Sequence, residues 1–210
     1  QAQEALAKDA ETQSLKTLAR QLRADELEIG KTFETGAVRY HRLKAQEPDS
    51  TYCNWVKDDR LEVWLNHESR SHMPSDLGRY FYTAVFGRAF RRTPKGHREF
   101  ALKGLAPEHA NWKTGKFIDR FRVQLWDLPS TTVTSHIAKD GHYFIHPDPG
   151  QCRSLTVREA ARLQAFPDNY FFLGTRTQQY HQVGNAVPPL LARQIAGVVN
   201  DILSNQAGSG

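Results

Sequence analysis

Two cysteines are candidate nucleophiles in this 210-residue chain. Cys53 lies in the stretch TYCNWV and Cys152 lies in GQCRSL. A cysteine is activated when a base, a cation or a helix N-terminus stabilises its thiolate. Arg153, next to Cys152, is the one neighbour of that kind. Each cysteine is therefore predicted to be a weak nucleophile, and no catalytic residue is assigned.

Positive charge is concentrated in one window of the chain. The net charge is +5, and the stretch from Phe81 to Arg122 holds ten Lys and Arg residues against three acids, which leaves +7 inside it and −2 elsewhere. A local field of this sign favours a polyanion such as nucleic acid, because neutralised phosphates release counterions. A solvated basic face is the alternative, and charge alone does not separate the two.

The histidines suggest a metal site without completing one. His142 and His146 are predicted to share one face of a strand, while His136 lies across a turn from them. His67 and His72 are five positions apart. No carboxylate or thiol is well placed to complete either set. We therefore expect packed or DNA-facing histidines and assign no metal ligand.

Hydrophobic periodicity and turn residues predict a mixture of helices and strands before residue 150. The predicted elements are a helix over 1–29, a strand over 61–66, a helix over 76–90, a loop over 94–115, and a hairpin of strands 130–137 and 142–146. The hairpin is predicted from the β-branched run STTVTSHI and the Lys-Asp-Gly turn at 139–141.

Two helices are predicted in the C-terminal quarter. The first, over 155–168, begins with a capping box of Thr156 and Glu159 and ends at Pro167. The polar run QQYHQVGNAVPP, residues 178–189, is predicted to be a turn. The last helix begins at Pro188-Pro189. Its apolar face, predicted to be buried, is formed by Leu191, Ile195, Val198, Val199 and Ile202. Apolar faces over 157–166 and 189–203 are expected to need a sheet that covers them.

The composition predicts a folded protein of the cytosol. Hydrophobic residues make up 39% of the chain, enough for one domain with a smaller appendage. No apolar run approaches the roughly 18 residues of a membrane helix, and no signal-peptide pattern occurs. Two distant cysteines indicate a reducing compartment. The chain begins with Gln1 rather than Met, which suggests processing or a piece of a longer protein.

The C-terminal third resembles the DNA cytosine-5 methyltransferases. RSLTVREAARLQAFPDNYFF (153–172) is similar to the ninth conserved block of that family, and QYHQVGNAVPPLLARQIA (179–196) is similar to the tenth. PSTTVTSHIAKDGHYFIHPD (129–148) resembles the end of the family's target recognition domain, and NHESRSHMPSDLGRY (66–80) resembles an earlier part of it. The resemblance covers about residues 60 to 200, and the first 40 residues show none.

Three blocks of the family have no counterpart in this sequence. Its nucleophile belongs to a Pro-Cys dipeptide, whereas Tyr52 and Gln151 precede the two cysteines here. No Glu-Asn pair occurs, and the glycine-rich loop that holds S-adenosylmethionine is missing. Arg120 and Arg122 lie too close to the end of the recognition domain to match the family's catalytic arginine block. The resemblance therefore implies the DNA-reading part of the enzyme without its catalytic half, and this chain alone is expected to be inactive.

The resemblance implies a mixed α/β fold in three parts. A helical leader is expected over 1–40, an irregular, β-containing target recognition domain over 41–152, and over 153–210 C-terminal helices that complete a Rossmann-like methyltransferase domain. The implied partners are double-stranded DNA and a catalytic half, the implied cofactor is S-adenosylmethionine shared with that half, and no membrane is involved. The expected location is the bacterial cytoplasm, in association with the nucleoid.

The resemblance and the charge window together select candidate binding residues. Asn185, Ala186 and Val187 in the tenth block are implied to lie beside the cofactor. The candidate DNA contacts are Arg88, Arg91, Arg92, Lys95, Arg98, Thr132, Thr134 and Arg153. Packing is the alternative for each of them, and for Arg153, Arg158 and Glu159 it is at least equally plausible.

Three functions remain open at this point. The first is the specificity subunit of a split or cut DNA cytosine-5 methyltransferase, of the kind found in restriction-modification systems. The second is a stand-alone DNA-binding or regulatory protein derived from such an enzyme, without a methylation role. The third is a module whose basic face binds an acidic protein.

Overall fold

A computed structural model describes residues 37–39, 50–61, 63–102, 104–107, 112 and 119–207. Their contacts divide the chain into two compact units. The described residues of the first unit lie within Ser69–Thr132 and Asp140–Leu155, and those of the second lie within Phe33–Glu68, Val133–Lys139 and Thr156–Gly210. The helix predicted over 1–29 lies outside the described residues.

Helices predominate in the described chain, with one two-stranded sheet, which agrees with a mixed fold. The elements in chain order are β1 (Ala37–Arg39), α1 (Thr51–Val56), β2 (Val63–Leu65), α2 (Pro74–Phe90), α3 (Gly96–Glu99), α4 (Val157–Leu163), α5 (Arg176–Asn185) and α6 (Pro189–Ala207). Short 3₁₀ turns occupy Ser135–Ala138 and Pro149–Gln151. β1 and β2 are antiparallel, with Val38 opposite Trp64. No helix in the described part of the chain is long and apolar enough to cross a membrane.

The predictions for β2 and α2 are confirmed, whereas the predicted hairpin is wrong. Residues 135–138 form a 3₁₀ turn. Ile145 instead forms isolated bridges to Val123 and Ser154. Hydroxyl groups explain the difference, because Ser and Thr side chains make local hydrogen bonds that compete with a strand ladder. Ser130 Oγ donates to the side-chain oxygen of Gln124 at 2.9 Å.

In the C-terminal quarter the capping box of Thr156 and Glu159 is confirmed. α4 is shorter than predicted, because Ala165 adopts a left-handed φ of 57° soon after the helix ends. The turn predicted over 178–189 is wrong for most of its length, since residues up to Asn185 belong to α5. A second capping box, formed by Thr175 and Gln178, begins that helix.

The hydrophobic core of the first unit surrounds α2. It contains Tyr80, Ala84, Phe100, Trp112, Phe121, Val123 and Ile145. Gly87 allows α2 to approach the segment after Phe121 closely, because a Cβ at this position would lie 2.6 Å from Cγ1 of Val123. A larger residue at position 87 would therefore push these two segments apart.

A polar cluster lies beside this core. The Ser154 N–H donates to Nε2 of His72 at 3.2 Å, so that nitrogen carries no proton and neutral His72 is protonated on Nδ1. The Tyr80 hydroxyl lies 3.3 Å from this Nδ1 and 2.7 Å from Nδ1 of His142. Burial, followed by the nearby Arg70 charge, lowers the pKa of His72 to about 4. Burial also lowers the pKa of His142, although Asp140 and Asp76 oppose that shift. Both histidines are therefore packed as neutral rings.

The second unit is organised around Arg158, which is 1% exposed. Its guanidinium donates to the carbonyls of Leu65 (2.8 Å), Pro167 (3.1 Å) and Tyr170. Burial lowers its pKa to about 10. The packing role considered for Arg158 is confirmed, because one side chain joins β2 to the chain that follows α4.

Asn66 makes the second long-range connection in this unit. It has a left-handed φ of 56° and is buried. Its side-chain amide donates to the Phe172 carbonyl at 3.0 Å and accepts from the Phe172 N–H at 2.9 Å. Its own carbonyl accepts from the Arg158 N–H at 3.1 Å. Asn66 and Arg158 thus hold the same two segments together.

The apolar faces of the C-terminal helices differ from the predictions. α4 buries Val157, Ala160 and Ala161 inside the second unit, so the prediction that it needs a separate covering sheet is wrong. On α6 the predicted apolar face exists, but the described residues do not bury it. Its residues are each about half exposed: Leu191 47%, Ile195 52%, Val198 61%, Val199 49%, Ile202 53% and Leu203 60%.

We predict that His72 makes the fold sensitive to acid. The pKa of His72 is about 4 in the folded chain against an ordinary value of 6.5. As pH falls from 6.5 to 4, the unfolded chain gains a proton that the folded chain does not. The free energy of unfolding should therefore fall by up to roughly 3 kcal/mol and then level off. Urea unfolding across this pH range should show a flatter dependence for His72→Gln, which keeps an acceptor for the Ser154 N–H. The exposed control His181→Gln should behave like the parent, and an unchanged slope for His72→Gln contradicts the prediction.

We also predict that Arg158 contributes far more to stability than a surface arginine. Arg158→Met leaves three carbonyls without their donor, so the free energy of unfolding should fall by roughly 3 kcal/mol or more. Arg60→Met is the matched control, because Arg60 binds Asp58 by two hydrogen bonds at the surface. Exposed pairs of this kind contribute little. Equal denaturation midpoints for the two variants would refute the prediction.

Candidate functional site

The basic surface of the first unit begins at the C-terminal end of α2. Arg88 is exposed in the last turn of the helix. Arg91 caps the helix with a left-handed φ of 54°, and its N–H donates to the Gly87 carbonyl at 2.9 Å. Cations are favoured at this end of a helix, because the carbonyl groups there carry partial negative charge. The sequence around the helix end therefore presents arginines to solvent.

Several cations of the +7 window are paired with acids. Arg91 forms an ion pair with Asp127, and Arg92 binds Glu99 through two guanidinium nitrogens. Arg120 bonds Asp140 at 2.7 Å, and Arg122 bonds Asp119. Two of these acids, Asp127 and Asp140, lie outside the window in sequence. The local positive field is therefore weaker than the window predicts.

Three of the predicted phosphate contacts are exposed and form no ion pair with the described residues. Arg88, Lys95 and Arg98 are all on the surface, and the described residues form no ion pair with their side chains. Lys95 precedes α3 as its N-cap and Arg98 lies within it. The Lys95 N–H is bound by the Glu99 carboxylate, which fixes the start of this short helix. These three cations are the best placed of the predicted set to meet a polyanion.

The other predicted DNA contacts have different surroundings. Thr132 in the first unit is exposed, and so is Thr134 in the second unit. Arg153 is only 9% exposed, and its guanidinium donates to the Ser154 carbonyl at 3.1 Å and to the Gln151 side chain. This geometry favours the packing alternative for Arg153.

The predicted cofactor-binding residues follow directly from α5. Asn185 is the last residue of the helix, Ala186 is its C-cap and Val187 is 60% exposed. Gly184 holds this end of α5 against the 3₁₀ turn, because a Cβ there would lie 2.3 Å from the backbone nitrogen of Ser135. The Gln164 side chain also donates to the Val183 carbonyl at 3.2 Å. The segment therefore has a fixed backbone and an exposed Asn185 side chain.

Neither cysteine has the surroundings of a nucleophile. Cys152 is 5% exposed, and burial, with Asp148 nearby, raises the pKa of its thiol to about 11. Its Sγ donates to the Pro149 carbonyl at 3.1 Å. Cys53 is partly buried within α1. The prediction that both are weak nucleophiles agrees with this environment.

Sequence reasoning missed one conspicuous surface feature. Trp126 is 74% exposed and Leu128 is 47% exposed, in a loop of the first unit. Trp126 borders a groove of about 210 Å³ that Arg88 and Arg91 also line. A single tryptophan in an irregular segment produces no periodic pattern, so no sequence signal placed it beside the arginines. A second groove of about 220 Å³, in the second unit, is lined by Asn66, Glu68, Phe171 and Arg176 among others.

Comparison with known proteins relates this geometry to a family. The family model described as C-5 cytosine-specific DNA methylase matches residues 8–201. The match extends further towards the N-terminus than the resemblance visible from residue 60 onwards. It includes both described units.

Individual relatives are type II methyltransferases. M.Bpa9945I of Bacillus paralicheniformis is 62% identical over 96 residues, which are 46% of this chain and 21% of that protein. M.AgeI of Thalassovita gelatinovora is 48% identical over 88 residues, 42% of this chain and 20% of that protein. M.DdeI of Desulfomicrobium norvegicum is 34% identical over 140 residues, 62% of this chain and 31% of that protein. The chain thus spans less than a third of the length of each of these relatives. Since the family model accounts for almost all of its residues, the chain belongs to the C-5 cytosine-specific DNA methylase family.

Proposed function

We propose that this chain is the DNA-recognition part of a DNA (cytosine-5-)-methyltransferase. It binds duplex DNA and closes the S-adenosylmethionine pocket of a catalytic half carried by other residues. Residues 41–152 serve as the target recognition domain, and residues 153–210 complete a Rossmann-like catalytic domain. The complex acts in the bacterial cytoplasm, on the DNA of the nucleoid.

The apolar face of α6 carries this proposal. Six large aliphatic side chains, from Leu191 to Leu203, are about half exposed or more. Contiguous apolar surface of this kind marks an interaction site, because its burial is worth roughly 25 cal/mol per Å². The face begins only a few residues after Val187. A catalytic half that covers α6 would therefore also be brought up to the segment 185–187.

The residues of this segment fit one wall of the cofactor pocket. Asn185 offers an amide that can donate and accept hydrogen bonds, and Val187 offers an exposed apolar side chain. Polar and apolar groups in this combination suit a nucleoside. S-adenosylmethionine supplies the methyl group that is transferred. The contribution of this chain is to hold Asn185, Ala186 and Val187 in place through Gly184 and Gln164.

The basic surface of the first unit fits the phosphate backbone. Arg88, Lys95 and Arg98 are exposed cations, and such contacts position a protein on DNA without reading its sequence. In the same unit Thr132 adds an exposed hydroxyl group that can donate to a phosphate oxygen, and Thr134 of the second unit is a separate candidate contact. A firm hold on the duplex is required because a methyltransferase must turn the target cytosine out of the base stack.

A methyl-transfer assay tests the proposal. The chain is mixed with a polypeptide that carries the Pro-Cys and glycine-rich blocks of the family, and transfer of labelled methyl groups from S-adenosylmethionine to duplex DNA is measured. We expect transfer from the mixture and none from either polypeptide alone. A stable complex that methylates no DNA would overturn the proposal and favour a stand-alone DNA-binding protein. Leu191→Asp with Ile195→Asp should abolish assembly, while the charge change Asp201→Asn on the same helix should not.

We predict that Arg88 and Arg98, which form no ion pair with described residues, matter more for DNA affinity than the paired Arg91 and Arg92. Arg88→Gln with Arg98→Gln removes two phosphate contacts, so affinity should fall for every sequence and the salt dependence of log K should become shallower by about 2. Arg91→Gln with Arg92→Gln removes the same formal charge, but the guanidinium groups of these two arginines are already paired with Asp127 and Glu99. Because Arg91 and Arg92 are already engaged with carboxylates, replacing them should change the salt slope less than replacing Arg88 and Arg98. Fluorescence anisotropy across a salt series measures both variants, and equal slopes would contradict the prediction.

A further inference from the structure

The loop that carries Trp126 is an exposed apolar feature of the first unit. The Trp126 side chain is 74% exposed and Leu128 is 47% exposed, whereas Trp112 in the same unit is 6% exposed. Two large apolar side chains, two positions apart, thus face solvent at the tip of one loop. This location separates them from the core, to which they contribute little.

One buried glutamine clamps the two ends of this loop. Gln124 is 8% exposed, and its N–H donates to the Ile145 carbonyl at 2.9 Å. Its side-chain oxygen accepts from Ser130 Oγ (2.9 Å) and from the Thr131 N–H (3.2 Å), while its NH₂ group donates to the Tyr143 carbonyl at 2.9 Å. The side chain at the start of the loop therefore holds its end, and the exposed residues 126–129 project between two fixed points. Such preorganisation lowers the entropy cost of binding.

Contacts within the unit also orient the tip. The Trp126 ring meets the buried His146 ring edge-on, with centroids 5.9 Å apart and planes at 89°. The neighbouring Asp127 forms the ion pair with Arg91. That pairing neutralises the one acid of the tip, which would otherwise repel a phosphate. Arg88 lines the same groove and is exposed.

We infer that residues 126–128 form a base-contacting element that helps to determine which DNA sequence is recognised. The occupant follows from charge complementarity, because an apolar tip beside exposed cations suits duplex DNA. Arg88 contacts a phosphate and sets the position of the loop. Trp126 and Leu128 then contact base edges in the groove, where an apolar side chain favours the methyl group of thymine. This inference depends on the proposed function, since it names the residues through which the same surface reads DNA.

Selection from a duplex library with a randomised centre tests the inference. The probe is offered to the chain alone and to the chain mixed with the complementing polypeptide. Affinity is then measured for the selected duplex and for a scrambled duplex at several salt concentrations. For Trp126→Ala we expect about tenfold weaker binding to the selected duplex, unchanged binding to the scrambled duplex and an unchanged salt slope. Arg88→Gln should weaken both duplexes equally and make the slope shallower by about 1.

Two controls separate this effect from loss of structure. Leu102→Ala removes another exposed apolar side chain of the first unit, 53% exposed, and should leave selection unchanged. Trp126→Phe keeps an aromatic ring and should retain much of the preference. Circular dichroism should be the same for all variants.

The outcomes distinguish the inference from the proposed function. If Trp126→Ala selects the same sequences with the same preference as the parent, or if the parent binds without preference, the inference is overturned. The proposed function survives that result if binding still depends on salt and on Arg88. If neither the chain nor the mixture binds DNA, both are overturned.

Discussion

The buried guanidinium of Arg158 is the constraint on which the second unit depends. A charge that is 1% exposed must be surrounded by acceptors, since an unpaired buried charge is costly. Here the acceptors are three backbone carbonyls, from Leu65, Pro167 and Tyr170. Because these acceptors are carbonyl groups of two separate segments, the guanidinium is fully hydrogen-bonded when β2 lies next to the segment after α4. Asn66 then binds Phe172 at the end of β2, and α5 begins four residues after Phe172, at Arg176.

Much of the local structure could be predicted from the sequence. The spacing of Thr156 and Glu159 identified the start of α4, and the apolar run after Pro74 identified α2, because capping and helical periodicity are properties of neighbouring residues. The β-branched run 130–137 misled for the opposite reason. Its strand propensity was outweighed by local hydroxyl hydrogen bonds and by the packing of Ser135–Ala138 against Gly184, which no short window reveals. The polar run at 178–185 looked like a turn, yet the capping box at Thr175 and Gln178 starts a helix there.

The candidate site was predictable in part. The sequence identified the cations but not their partners, since Asp127 and Asp140 come next to Arg91 and Arg120 only through folding. The same limit applies to Arg153 and Arg158 of the ninth block, because the sequence does not reveal that folding buries both side chains. Trp126 was missed because exposure of one tryptophan is a property of the fold. By contrast, the segment 185–187 was identified through its resemblance to the tenth block, and α6 has an apolar face that the described residues leave open.

The Gln124 clamp has a consequence for how this protein can change over evolutionary time. A single side chain fixes the beginning and the end of the loop, and between them Leu125 packs against the core whereas residues 126–129 are exposed. Substitutions at positions 126–129 are therefore expected to cost little stability and to remain available for selection on other grounds. A fixed frame with an exposed tip allows the binding surface to change while the fold is kept. New preferences can arise by exchanging the tip alone, without rebuilding the domain that displays it.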